Sequence, residues 1–285
     1  MRDTRDMFLV LLSSLLMLTG CSRRDILDDY PVSGVDIDLD WSGVTNKLPE
    51  GVRVIFYPKN AEGRKIDTYL SVKGGKVKVP PGRYSVVVYN YDTETVQIRG
   101  EEAYETIEAF TGHCNGLGIA GTEQLVWGPD PLYVVRIDDL KIENSEEELQ
   151  LNWKPKLVVK TYSFKLKVQG LEYVSSIVGS IEGMSSCYGL GLGCGKVGDS
   201  PIYFAARGSA GEVTGSFTVF GTSEGAISRA GNAIKLTLAF VKTDNKVQKM
   251  EVDITEVIAN SESGGSGGDD DGDGSSKEIE LPVED

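Results

Sequence analysis

Apolar and polar residues alternate with period two along much of this chain. Val35-Asp36-Ile37-Asp38-Leu39-Asp40-Trp41 sets Val35, Ile37, Leu39 and Trp41 on one side of an extended segment, the mark of a half-buried strand. Val52–Tyr57, Lys76–Val79, Tyr84–Asn90 and Leu132–Ile142 read the same way, being rich in β-branched and aromatic residues and bounded by Gly, Pro, Asn and Asp. Pro80-Pro81-Gly82 predicts a turn, because proline presets φ and glycine tolerates the left-handed region. After the polar stretch Asn144–Glu148 a second set begins with a long strand at Leu157–Val168. In its back half Tyr162, Phe164, Leu166 and Val168 face inward while Lys165 and Lys167 face out. Ser175–Ile181, Ile202–Ala206, Val213–Phe220, Ile234–Val241, Val247–Ile254 and a last Glu278–Leu281 follow, separated by Gly-rich or polar turns. Many short strands at such spacing predict an all-β chain of antiparallel sandwiches. No stretch shows a capped 3.6-residue apolar period, so a parallel α/β fold is disfavoured.

The chain has 285 residues, more than one sandwich needs. Trp153-Lys154-Pro155-Lys156 interrupts two strand-like runs, and Pro155 cannot donate to a central ladder. The expected division is therefore an N-terminal sandwich over 35–155 and a C-terminal sandwich over 156–285. The second of these carries an acidic Gly/Ser-rich loop at 259–276.

The N-terminus is of another kind. Met7–Leu18 is an unbroken, largely apolar run, too short to span a bilayer but of the length of a signal-peptide core. It closes in Leu18-Thr19-Gly20-Cys21, which resembles the lipobox of bacterial lipoproteins. That resemblance implies that residues 1–20 are a signal peptide, removed ahead of Cys21, and that Cys21 receives acyl chains. Each buried methylene contributes about 0.8 kcal/mol, so several chains hold where one would be marginal. Residues 21–34 then form a tether whose charged segment Ser22–Asp29 resembles those of lipoproteins sent to the outer surface, which implies the outer membrane and the cell exterior.

A wider resemblance starts at Val52–Pro58 and runs through Lys78-Val79-Pro80-Pro81-Gly82-Arg83-Tyr84 to Tyr89-Asn90-Tyr91-Asp92-Thr93, then Val96-Gln97-Ile98-Arg99-Gly100. Over residues 21–112 the chain resembles the fimbrillin-like lipoproteins of Bacteroidetes. The resemblance implies two transthyretin-like sandwiches in series and a fimbrial anchor or accessory subunit acting in pilus assembly or adhesion. It also implies other fimbrial subunits as partners through an added strand, an association that rests on unpaired N–H and C=O groups at a sheet edge. The alternative readings are a surface binding module for glycan or host protein and a calcium-dependent form of such an adhesin.

Charge and candidate chemistry narrow the function. The formal charge is −14. The leader holds two basic and two acidic residues, so its removal leaves that charge unchanged. A nucleic-acid partner is excluded for want of a clustered basic surface. The single histidine, His113, adjoins Cys114, and neighbouring side chains on extended backbone point apart, which disfavours a Cys/His nucleophile. Cys187 and Cys194 flank Tyr188–Gly193, a glycine-rich loop easily closed, and are candidates for a disulfide, with Cys114 the competing partner. Asp269, Asp271, Asp273 and Glu280 match the spacing of a calcium loop, D-x-D-x-D-G-x5-E, but a Gly/Ser run rather than a helix precedes them. No other cofactor is expected, and the carboxylate runs read as solvated faces rather than a glycosidase pair. Trp127 and Tyr133 are the aromatics considered for stacking on a sugar. The expectation is a structural protein and not an enzyme.

Overall fold

The computed structural model describes residues 34–45, 47–60, 63–114, 124–145, 147–221, 233–263 and 276–281. The strands of the first half are β1 (Gly34–Leu39), β2 (Gly51–Pro58), β3 (Ile66–Ser71), β4 (Gly74–Lys78), β5 (Gly82–Asn90), β6 (Val96–Arg99), β7 (Glu108–Thr111), β8 (Val126–Trp127), β9 (Tyr133–Ile142), β10 (Leu149–Trp153) and β11 (Lys156–Leu157). Those of the second half are β12 (Val159–Lys167), β13 (Val174–Glu182), β14 (Ser185–Gly189), β15 (Cys194–Val197), β16 (Ile202–Ser209), β17 (Glu212–Phe220), β18 (Lys235–Lys242), β19 (Val247–Asp253) and β20 (Lys277–Glu280), with a 3-10 turn (Leu171–Tyr173) and, among the described residues, one α-helix, α1 (Thr255–Ser263).

Three sheets result. The first runs β10-β1-β4-β3-β2-β5-β9-β11 and the second β19-β18-β13-β16-β17-β12-β20, with β8 attached to β16. A third, smaller sheet runs β15-β14-β7-β6. The two large sheets curl so that their distant strands share a core. Val35 and Leu39 of β1, Phe56 of β2, Val86 of β5 and Trp153 of β10 lie in one cluster. Tyr162 of β12, Ile181 of β13, Phe204 of β16, Leu238 of β18, Val252 of β19 and Ile279 of β20 lie in another. The chain is thus all-β in two curled domains, as expected, and most pairings are antiparallel. The pairings β1 with β10, β12 with β20 and β8 with β16 depart from that expectation by running parallel.

β2 and β5 sit mid-sheet and are buried on both faces, which is why their sequences are nearly continuous in apolar residues. Val54, Phe56, Val86 and Val88 point into the first core. Ile55, Tyr57, Val87 and Tyr89 point the other way, into a third cluster beneath the small sheet. The Pro80-Pro81-Gly82 turn is pinned to β5 by Tyr84, whose hydroxyl donates to Pro80 O at 3.0 Å. At the tight β3–β4 turn Gly74 has φ +96°, and a Cβ there would meet Ile37 O at 2.0 Å, so only glycine fits.

The small sheet joins the halves. β7 from the first pairs with β14 from the second in the register Cys187↔Phe110, Tyr188↔Ala109 and Gly189↔Glu108. The cluster beneath it draws Ile55, Tyr104 and Ile107 from one half and Val159, Leu190 and Phe220 from the other. In return β8 of the first half pairs with β16 of the second.

Two local expectations need correction. Residues 259–263 belong to α1 and not to the acidic loop. Asp253 accepts hydrogen bonds from the Thr255 backbone N–H and hydroxyl, and Ile254 and Ile258, both wholly buried, dock the helix on the second core. The segment from Tyr188 to Gly193 is a docked turn rather than a flexible loop. Leu190 is wholly buried and its N–H donates to Ile107 O at 3.0 Å. Arg136 Nη1 donates to the carbonyls of Gly191 and Leu192.

Candidate functional site

Among the described residues the curled second sheet does not close: one of its ends is β19, hydrogen-bonded there to β18 alone, and the other is β12 with β20 beside it. β20 pairs in parallel with Tyr162 through Lys165 and ends there, so among the described residues Leu166 and Lys167 have a strand partner only on the β17 side. Between these two ends lies an open groove of about 1290 Å³. Its walls include Leu166 from β12, Leu171 from the following 3-10 turn, Gly211 from the β16–β17 hairpin, and Met250 and Val252 from β19. Leu166 and Val252 belong to the core itself, and Leu171 and Met250 pack against it. Apolar core side chains are therefore reached from outside here, between the end of β12, the turn after it, the β16–β17 hairpin and β19.

The free edge of β19 also carries charge. Its exposed Lys249 and Glu251 flank Met250, the pattern by which an unpaired edge is kept from indiscriminate pairing.

Electrostatics hold the small sheet together on its outer face. Glu108, in β7, accepts hydrogen bonds from Arg99 of β6 and from Lys196 of β15, the latter at 2.6 Å. Burial pushes its carboxyl up, but these two cations more than offset that and leave it below the usual carboxylate range. The Arg99 guanidinium also lies 4.5 Å from the Phe110 ring centroid. One carboxylate thereby ties strands from both halves.

The residues singled out from the sequence are placed as follows. Cys21, Asp269, Asp271 and Asp273 lie outside the described residues. Glu280 is in β20, its backbone in register with Lys165, so the last position of the calcium spacing belongs to a strand. Among the described residues no group of three or more His, Cys, Asp or Glu side chains converges as a metal site. Cys187 and Cys194 share the β14–β15 hairpin but are free thiols: Cys187 is in register with Lys196 and Cys194 with Gly189, so the two are not cross-strand partners. Backbone hydrogen bonds, including Gly193 N–H to Gly189 O at 2.7 Å, close the turn that a disulfide was expected to close. Cys114 is also a free thiol, and burial pushes it up to about 11, the opposite of an activated nucleophile. Tyr133 is buried, while Trp127 is partly exposed with its ring edge-to-face on Tyr203. No helix among the described residues is long and apolar enough to cross a membrane.

The groove has no sequence signature. It is walled by the end of β12, the turn after it, the β16–β17 hairpin and β19, segments that are far apart in the chain and meet only in the fold.

Residues 20–205 match the family described as "Domain of unknown function (DUF5119)". The chain belongs to this family. Over its whole length it is also 61% identical to a Bacteroides ovatus protein named "Putative fimbrium anchoring subunit Fim4B", of which the match covers 89%. Among solved structures it resembles a "putative adhesin" from Bacteroides ovatus at 61% identity, with a TM-score of 0.76 over 85% of this chain and 89% of that one. A second "putative adhesin", from Bacteroides thetaiotaomicron, aligns with a TM-score of 0.53 over 85% of this chain and 87% of that one. At 10% identity it speaks to the fold alone.

Proposed function

We propose that the protein is a structural subunit that anchors a fimbrium, held in the outer membrane at the cell surface by acyl chains on Cys21, and that it joins the next subunit through the open groove of its second domain. The observation that carries the assembly step is the edge of β12: among the described residues β20 accompanies four residues of that strand, and the adjoining stretch leads into a groove that reaches core side chains. A neighbour's extended segment laid there gains main-chain hydrogen bonds from the strand edge and covers apolar surface with alternate side chains. The 61% identity to a relative named as a fimbrium anchoring subunit supports the same reading.

The anchoring step rests on the Leu18-Thr19-Gly20-Cys21 sequence directly after an apolar run of signal-peptide length. A lipid at the N-terminus and a docking groove in the second domain suit a protein that connects a membrane to a filament. Nothing in this role requires catalysis.

Metabolic labelling with an alkyne palmitate tests the anchor. The wild-type protein is expected to carry label in the outer-membrane fraction, and Cys21→Ala to lose it and escape into the medium. The assembly step is tested in cell envelopes with a photo-crosslinking amino acid at Lys167 or Lys249, which should trap a fimbrial subunit, whereas the same group at Arg83 should not. Labelling that survives Cys21→Ala, or crosslinks independent of position, would refute the respective step.

A further inference from the structure

The first domain carries a separate feature that the anchoring role leaves unused. Tyr69 of β3, Arg53 of β2 and Tyr89 of β5 lie in cross-strand register and form a row over three adjacent strands. Beside this row opens a small cavity of about 230 Å³, walled by Arg53, Tyr69, Tyr91 and Glu101 among others. Tyr69 and Tyr91 are 59% and 45% exposed, and their rings meet edge-to-face with centroids 5.3 Å apart. Neither ring belongs to a core cluster, so neither is needed to close the fold.

The polar side of the cavity is fixed. Arg53 uses all of its N–H groups within the protein. Nε and Nη2 donate to the two oxygens of Asp67, Nη1 and Nη2 to the two oxygens of Glu101, and Nη1 also to the Tyr89 hydroxyl, at 2.5 to 3.1 Å. Hydrogen bonds from Arg53 hold the Asp67 carboxyl below the usual carboxylate range, and the guanidinium is held in its charged form. Three consequences follow. The guanidinium has no donor left for an incoming anion. Lys65 stands beside it, its ammonium donating to Glu101 O at 3.0 Å, so two cations meet two carboxylates and no uncompensated positive charge is left to attract an acidic ligand. Each Glu101 oxygen keeps a second lone pair, and that side chain is 30% exposed. The cavity therefore offers an aromatic wall together with acceptors that call for hydroxyl donors, and it has room for one ring of a polyol.

We propose that this cavity binds a neutral saccharide, one pyranose ring packing its C–H face on Tyr69 against Tyr91 and donating hydroxyl hydrogens to Glu101. The rigid Arg53 network keeps Glu101 in place without an ordering cost on binding. The site lies in a different domain from the groove, so the protein can hold a glycan while engaged in a fimbrium.

Saturation-transfer NMR on the full chain in detergent tests the site. The probes are methyl glycosides of glucose, galactose, mannose and N-acetylglucosamine, with glucuronic acid and N-acetylneuraminic acid as the anionic arm. At least one neutral glycoside is expected to receive saturation on its ring C–H protons, the two acids none. The signal should fall by about fivefold in Tyr69→Ala and in Tyr91→Ala, the loss of one aromatic contact. Urea midpoints of the variants, expected to stay close to wild type, separate loss of binding from loss of fold. The proposal is overturned if no neutral glycoside is saturated, if the acids are saturated equally, or if the signal persists in both variants with their fold intact.

Discussion

Tyr188, from the second half of the chain, stands directly opposite Ala109, from the first, across the β14–β7 pairing. The two curled domains therefore share a sheet, and the core beneath it is assembled from both. A filament subunit loaded between a membrane and a pilus would pull on this joint, and the joint is built of main-chain pairing and buried side chains rather than of a flexible link.

Leu190 tests the joint. It is wholly buried in the cluster that also holds Ile55, Ile107 and Phe220. Leu190→Ala removes side-chain atoms and leaves a cavity between the halves, and large-to-small changes of this kind cost about 2–5 kcal/mol. Urea unfolding followed by fluorescence should show that loss. Because the cluster spans both halves, the wild-type protein is expected to unfold in one transition and the variant in two.

Gly191, the next residue, tests the docking of the turn. A Cβ there would lie 1.7 Å from Tyr104 O, a backbone atom that cannot move aside cheaply. Gly191→Ala should destabilise the protein by about 1–3 kcal/mol, the usual range for forcing extra volume into a packed site. Gly170→Ala is the comparison. No heavy atom lies within 4 Å of its would-be Cβ, so only its φ of +77° opposes the change, and its cost should be the smaller of the two in thermal melts.

Much of this architecture is legible in the order of residues, and what is not has physical reasons. β1 and the back half of β12 show their period because one face is core and the other solvent. β3 escapes notice because its residues are at best half-buried and its sequence, Ile-Asp-Thr-Tyr-Leu-Ser, has little contrast. β14 and β15 are hidden in a glycine-rich stretch that reads as a loop until Leu190 has a pocket on another domain to fill. Helix α1 has only Val257 and Ile258 as large apolar residues within its nine positions, too few to establish a period. Strand partners are the least legible feature: nothing local to Leu149–Trp153 says that it will lie parallel to β1. The same holds for the groove of the second domain and for the Arg53 cavity, which exist only once distant segments meet.

Glu108 makes a pH-dependent prediction. Its carboxyl is lowered in the folded protein from an ordinary value of 4.5, because Lys196 and Arg99 outweigh the burial that would raise it. A depressed folded pKa means that the unfolded chain takes up the proton first. The stabilisation is therefore complete above the unfolded value and is lost as pH falls through the folded one. Glu108→Gln keeps the shape and removes the charge. At pH 7 it should cost about 1 kcal/mol, since both cations are about half exposed and partly screened. The gap between variant and wild type should narrow steadily below about pH 4.5 in urea titrations. A gap that stays constant with pH would mean that Glu108 contributes by packing alone.

Ile279 decides whether β20 is an integral strand or an accessory one. It is 2% exposed, stands opposite Phe164 of β12 and belongs to the second core. Yet β20 is held by one neighbour strand over four residue pairs, whereas β12 is paired with β17 over nine. Burial argues that Ile279→Ala should cost about 2–4 kcal/mol, as for other large-to-small core changes. The short, one-sided pairing argues that this loss falls on β20 before it falls on the rest of the sheet, because regions with few partners open at lower free energy than the core they rest on. Hydrogen exchange separates the two. In Ile279→Ala the amides of β20, and those of β12 between Tyr162 and Lys165 that point toward it, should lose protection by a hundredfold or more, about 2.7 kcal/mol or above. The β12 amides bonded to β17 should change little. Equal loss on both sides of β12 would show that β20 completes the domain and cannot be displaced without unfolding it. A one-sided loss would show a strand that can open while the sheet stands, which would lengthen the groove along β12 and give an incoming segment more edge to pair with.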